Sequence, residues 1–125
     1  MIQVLIADAN SIIREGLRLA ARQEADMRVI GAAENGLSLI AEFTQYHADV
    51  TIVDLQLPQA LQAIATIHKL APTTIIVALT MYPDDPRITS ALALGATFQI
   101  LKTATSQEIL SAVRDAVIAR TSPST

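Results

Sequence analysis

Thr74-Ile75-Ile76-Val77-Ala78-Leu79-Thr80 holds five consecutive apolar residues, three of them β-branched, closed by a hydroxyl. A strand with one wet face alternates apolar and polar side chains, whereas one covered on both faces is apolar throughout. The segment therefore predicts an interior strand of a parallel sheet. Moving outward from it, apolar, β-branched runs recur at 2–7, 27–33, 50–53 and 97–101.

Each run is followed by residues at helical spacing. Ile13, Leu17 and Ala20 share one helix face, with Asn10 or Ser11 available as the cap. A second helix starts at the Asn35-Gly36 turn and runs to about Tyr46, and a third carries Leu61, Ile64 and Ile67 until Pro72 stops it. A fourth opens at Asp84-Asp85-Pro86 and ends at Gly95, with proline suited to a first turn and glycine to a C-cap. The fifth begins with the capping box Thr105-Ser106-Gln107-Glu108 and buries Ile109, Val113, Ala116 and Val117. Five strands alternating with five helices predict an α/β fold: a doubly wound five-stranded parallel sheet, (βα)5, in three α/β/α layers.

The 125 residues make one domain, with 51% hydrophobic and only 3% aromatic side chains, so the core is aliphatic. The domain is expected over 1–119, and 120–125, where the apolar period is lost, reads as a linker or tail. That Ser/Pro/Thr-rich end favours a piece of a longer chain. The formal net charge of −3 and the scatter of basic residues exclude a phosphate-tracking surface, so any contact with DNA belongs to another domain. With no cysteine there are no disulfides or thiolate metal sites. The sequence has neither a leader-like start nor a membrane-length apolar run, which makes the cytoplasm the expected compartment.

In open parallel sheets, chemically active groups collect at the carboxyl ends of the strands. Asp8 follows the first run, Asp54 the third, Thr80 the fourth and Lys102 the fifth. Any one of them could simply mark a strand end. Together they supply a carboxylate able to accept a phosphoryl group, a second to hold Mg²⁺, and an ammonium to offset phosphoryl charge.

Val4-Leu5-Ile6-Ala7-Asp8, Arg14-Glu15-Gly16-Leu17, Val53-Asp54-Leu55, Leu79-Thr80-Met81-Tyr82, Gly95-Ala96 and Leu101-Lys102 resemble a response-regulator receiver (CheY-like) domain. The likeness covers residues 1 to about 119. It is strongest to the subfamily that precedes LuxR/NarL-type DNA-binding domains. It implies a flavodoxin-like fold in which Asp54 accepts a phosphoryl group from a histidine kinase. Asp8, Asp54 and the backbone carbonyl of Gln56 would hold Mg²⁺. Thr80 would move to hydrogen-bond the new phosphoryl oxygen, and Lys102 would pair first with the acids and then with the phosphoryl group. The implied partners are the kinase, an attached DNA-binding output domain and a possible homodimer. No enzymatic turnover beyond gain and loss of phosphate at Asp54 is expected.

Three positions depart from the family pattern. Ala9 stands where a second acid is usual, so two carboxylates and one lysine leave a local charge of −1 in place of −2, and Mg²⁺ binding is expected to be weak or absent. After Pro58 the usual Gly-rich segment is replaced by Gln59-Ala60-Leu61-Gln62. With no glycine to supply positive φ, the third helix is expected to begin almost at Pro58. Gln99 occupies the place of a switching Tyr or Phe, and alternation turns Phe98 to the other face. Such a pocket also admits a degenerate receiver that acts by phosphorylation-independent contacts or dimerisation. A flavodoxin-like enzyme or cofactor binder is the alternative from another class. Ala7-Asp8-Ala9-Asn10-Ser11 argues against it, because an acid there repels phosphate without a metal.

His47 and His68 have no second ligand at metal spacing and read as ordinary surface or helix-end residues. Asp49 lies at the opposite pole as a turn residue, Asp84 and Asp85 favour a helix N-terminus, and Arg14 and Glu15 form a solvated helix face. Met81 and Tyr82 fall in a loop.

Overall fold

Parallel strands cannot be joined by tight hairpins, so each apolar run must be followed by a crossover, and amphipathic helices serve here. The computed structural model describes residues 1–121. The chain alternates β1 (Ile2–Ala7), α1 (Ser11–Arg22), β2 (Met27–Ala33), α2 (Gly36–Tyr46) and β3 (Val50–Asp54), then α3 (Ala60–Leu70), β4 (Ile75–Thr80), α4 (Arg87–Leu94), β5 (Phe98–Leu101) and α5 (Ser106–Thr121). All strand pairs are parallel, in the order β2-β1-β3-β4-β5. The expected doubly wound fold is present.

Alternation divides the core in two. Leu5, Ala7, Val53, Leu55, Ile76 and Ala78 pack with Leu39, Phe43, Ile64, Ile67 and Ala91 from α2, α3 and α4. Their neighbours Val4, Ile6, Val50, Ile52, Val77 and Leu79 pack with Leu17, Ala21, Ile109, Leu110 and Val113 from α1 and α5. The interior strands β3 and β4 are buried throughout, as their unbroken apolar character requires. Ala116 and Val117 are only partly buried.

Caps begin three of the helices as expected. Asn10 Oδ1 accepts Ile12 N–H at 2.9 Å and Asn35 Oδ1 accepts Ser38 N–H at 2.8 Å. The Thr105–Glu108 box closes in both directions, at 3.0 and 3.1 Å. Gly95 ends α4 at φ 125°, with the His68 ring so close that a Cβ there would strike it.

The entry to α3 corrects the sequence reading. The helix starts at Ala60, and Gln59 takes the left-handed turn itself, at φ 58°. The reversal is needed because Gly36 N–H donates to the Pro58 carbonyl at 2.8 Å, pinning this loop onto the start of α2. A Cβ on Gly36 would collide with the Gln59 carbonyl. At the other end of the chain, Arg120 and Thr121 continue α5, with Arg120 Nη1 donating to the Thr73 carbonyl at 3.0 Å. The rest of the expected tail, residues 122–125, lies outside the described residues. Among the described residues no helix is long and apolar enough to cross a membrane.

Candidate functional site

Strand parity decides which strand-end residues meet. Val4 and Ile6, Val50 and Ile52, and Phe98 and Ile100 face the α1/α5 side. Two residues on along each chain come Asp8, Asp54 and Lys102, so all three continue that face. Thr80 continues Ile76 and Ala78 on the opposite side. Chain order reverses direction between β1 and β3, the switch point at which open α/β sheets form their ligand crevice.

There Lys102 Nζ lies 2.8 Å from Asp8 Oδ2 and 3.0 Å from Asp54 Oδ2. All three side chains are buried, at 7%, 1% and 5% exposure. Backbone amides orient the carboxylates: Asp8 Oδ1 accepts Asn10 N–H at 2.8 Å and Asp54 Oδ1 accepts Gln56 N–H at 2.9 Å. Burial works against the ammonium charge, but pairing with Asp8 and Asp54 more than offsets it and holds the Lys102 pKa above its ordinary 10.5.

Asp8 Oδ2 is buried without a hydrogen-bond partner; its contact with Lys102 is an ion pair lacking hydrogen-bond geometry. An under-satisfied carboxylate oxygen beside a second carboxylate suits a hard cation. Among the described residues no group of three or more His, Cys, Asp or Glu is placed to hold a metal. The set therefore fits a Mg²⁺ that keeps several waters, which one or two carboxylates can hold.

Arg14 is not the solvated residue expected from its helix. Its Nη1 donates to the Asp8 carbonyl at 2.6 Å, its Nη2 lies 3.5 Å from Glu34, and the side chain is 18% exposed. Glu15 does remain at the surface, 3.9 Å from Arg18.

Thr80 is buried and turned to α4. Its hydroxyl donates to Asp85 Oδ2 at 2.8 Å. Asp85 takes a forked pair from Arg87, Nε to Oδ1 at 2.9 Å and Nη2 to Oδ2 at 2.7 Å, and also accepts Arg87 N–H at 2.9 Å. Arg87 Nη1 reaches across to the Leu55 carbonyl at 2.8 Å, next along the chain from Asp54. The bonds from Arg87 hold the Asp85 carboxyl far below the usual carboxylate range. Asp85 therefore does more than favour a helix N-terminus, and neither it nor Arg87 was singled out in the sequence for this site. An acid just before a helix, with an arginine two residues on, looks the same whether it caps or also binds a strand-end hydroxyl.

The discounted residues have structural employment. His47 ends α2 in a left-handed turn and stacks on Phe43 at 5.5 Å. Asp49 accepts Gln3 N–H at 2.8 Å at the opposite pole. Met81, Tyr82 and Asp84 are exposed, and so is Gln99, while Phe98 packs on the α1/α5 core.

Comparison with known proteins identifies the family to which this fold belongs. The family model described as "Response regulator receiver domain" matches residues 4–114. The oxygen regulatory protein NreC of Staphylococcus carnosus is 32% identical over 115 residues, covering 90% of this chain and 53% of that protein. The chain thus spans about half the length of the curated relatives it matches. Among solved structures, the response regulator domain of Thermotoga maritima CheB superposes with a TM-score of 0.84 at 25% identity, covering 98% and 99% of the two chains. The receiver domain of the putative response regulator NarL from Mycobacterium tuberculosis does so with a TM-score of 0.84 at 25% identity, covering 92% and 94%.

Proposed function

This chain belongs to the response regulator receiver domain family, a family of signalling domains rather than enzymes, and from that premise we propose that it is the phosphoryl-accepting input domain of a LuxR/NarL-type regulator. The observation that carries the reading is Lys102 bridging two buried carboxylates, Asp8 and Asp54, at the switch point of the sheet.

In this reading a carboxylate oxygen of Asp54 attacks a phosphoryl group carried on the histidine of a kinase. An O–P bond forms, the N–P bond breaks, and the imidazole leaves. Asp54 qualifies because it is held at the site by the Gln56 amide and paired with the Lys102 ammonium at 3.0 Å. Receiver domains bind Mg²⁺ at an acidic pocket; here Asp8, Asp54 and the Gln56 carbonyl would hold it, and it would offset charge on the phosphoryl oxygens. Ala9 adds no carboxylate, so the ion binds weakly. Lys102 shifts its ammonium toward the phosphoryl group once Asp54 has lost its own charge. Thr80 must leave Asp85 to bond the same group. The domain runs through α5 to Thr121, it serves a DNA-binding output domain, and the protein works in the cytoplasm. Autophosphorylation from small donors and self-catalysed loss of phosphate complete its chemistry.

One observation favours the degenerate alternative: Thr80, which should be available to the phosphoryl group, is committed to Asp85. The two readings separate in one experiment. Intact mass is recorded after incubation with a small phosphodonor and Mg²⁺, with Asp54→Asn alongside. One added phosphoryl group on the wild type, absent from the mutant and lost with chelator, is the expected result. A folded wild type that takes no adduct sinks the phosphoryl reading in favour of the contact-only one.

A further inference from the structure

Phosphorylation replaces the single charge of Asp54 by the double charge of an acyl phosphate. Lys102 and a weakly held Mg²⁺ would then face Asp8 and a dianion, with no third carboxylate to strengthen the metal. The pocket needs a further cation, and α4 carries one at its edge. We propose that Arg87 is a second phosphoryl-binding cation of this site, held in place by Asp85; this rests on Asp54 being the phosphoacceptor.

Three observations carry it. Arg87 Nη1 already sits on the carbonyl of Leu55, the residue after Asp54. Three of the five guanidinium N–H groups are engaged, on Nε, Nη1 and Nη2, leaving two for a new acceptor. The forked pair with Asp85 fixes the guanidinium plane, and Asp85 is itself anchored by the Thr80 hydroxyl. The guanidinium also feels Asp54: after Asp85, that carboxylate helps to raise its already high pKa. Arg87 also borders an open hollow with Leu55, Leu57 and Gln59, on the chain that leaves Asp54. Asp85 is a positioning residue here, acting through Arg87 and Thr80.

The same contacts explain how α4 would sense the phosphoryl group. Arg87 is the first residue of α4, so a pull on its guanidinium is a pull on the helix. Thr80, bonded to the same carboxylate at rest, would be released from it on turning to the phosphoryl group.

The test uses beryllofluoride, which mimics a phosphoryl group on a carboxylate, added with Mg²⁺ to the full chain. Side-chain Nε–Hε resonances of the arginines are followed by NMR, and affinity is read from the Asp54 and Gln56 amides. Arg87 Nε is expected to shift on saturation, and Arg87→Ala to weaken binding about tenfold, as loss of a hydrogen bond to a charged group does. Arg87→Lys should recover part of the loss. Arg87→Ala is also made with Asp85→Asn, so that no buried carboxylate is left unpaired if the single variant folds poorly. An unmoved Arg87 signal with unchanged affinity overturns the proposal and leaves the Asp54 reading intact. A wild type that takes neither beryllofluoride nor a phosphoryl group overturns both.

Discussion

Two buried carboxylates that share one ammonium are stable only as a set. Removing the ammonium leaves two like charges without water, and breaking such clusters costs about 3–5 kcal/mol. Lys102→Met is therefore expected to lose about 3 kcal/mol in urea unfolding at pH 7. The alkaline limb follows from the raised pKa of Lys102: its stabilisation is complete below the ordinary 10.5 and is lost as pH climbs through the higher folded-state value. Wild type should weaken there and Lys102→Met should not share that loss; parallel pH curves for the two proteins would contradict this account. The four strand-end residues were legible as one pole of the sheet, but their split between its two faces, Thr80 apart from Asp8, Asp54 and Lys102, was not drawn from the sequence. Arg14 was not legible. Its helical spacing indicates a surface, and nothing in a sequence says that a long side chain will fold back onto the Asp8 carbonyl.

At the level of elements, the strands and their caps could be read because unbroken apolar runs and Asn or Thr–Glu caps have local causes. The turn into α3 could not. Positive φ was tied to glycine, yet the chain places Gln59 there because the Pro58 carbonyl is already bonded to the start of α2. A left-handed non-glycine residue costs about 1–2 kcal/mol, while glycine loses about 0.5–1 kcal/mol through its freer unfolded chain. Gln59→Gly should thus stabilise the domain by about 0.5 kcal/mol, the difference between those costs. Gly36→Ala should do the reverse and lose about 1–3 kcal/mol, since the new methyl group has the Gln59 carbonyl in its path. Denaturant midpoints at constant slope test both. Equal stability of the two variants would mean that the loop moves freely and is not pinned as described. That matters for the site, because Gln59 and Arg87 border the same hollow.

Across the whole molecule, the sheet gathers its carboxylates at one pole and commits the rest of its mass to two aliphatic layers that hold this edge rigid. A cation bound there acts on the entire folding equilibrium, because the unfolded chain has no such site. Linkage then sets the size of the effect: Mg²⁺ at ten times its Kd adds about 1.4 kcal/mol, which for a domain of 125 residues raises Tm by about 4–6 °C. Screening by salt would also shift Tm, so the comparison is made at matched ionic strength with a monovalent salt. Wild type is expected to show a rise that saturates only at high Mg²⁺, reflecting its two carboxylates. Asp8→Asn should abolish the rise by replacing the Asp8 carboxylate with a neutral amide. Ala9→Asp should move saturation to lower Mg²⁺ by supplying a third acid at the exposed rim of the pocket. If Ala9→Asp gains a Mg²⁺ response that wild type lacks, the natural pocket has given up its metal, and the fold is retained for contacts alone. If wild type responds and Asp8→Asn does not, two carboxylates are enough to hold the ion on this sheet edge.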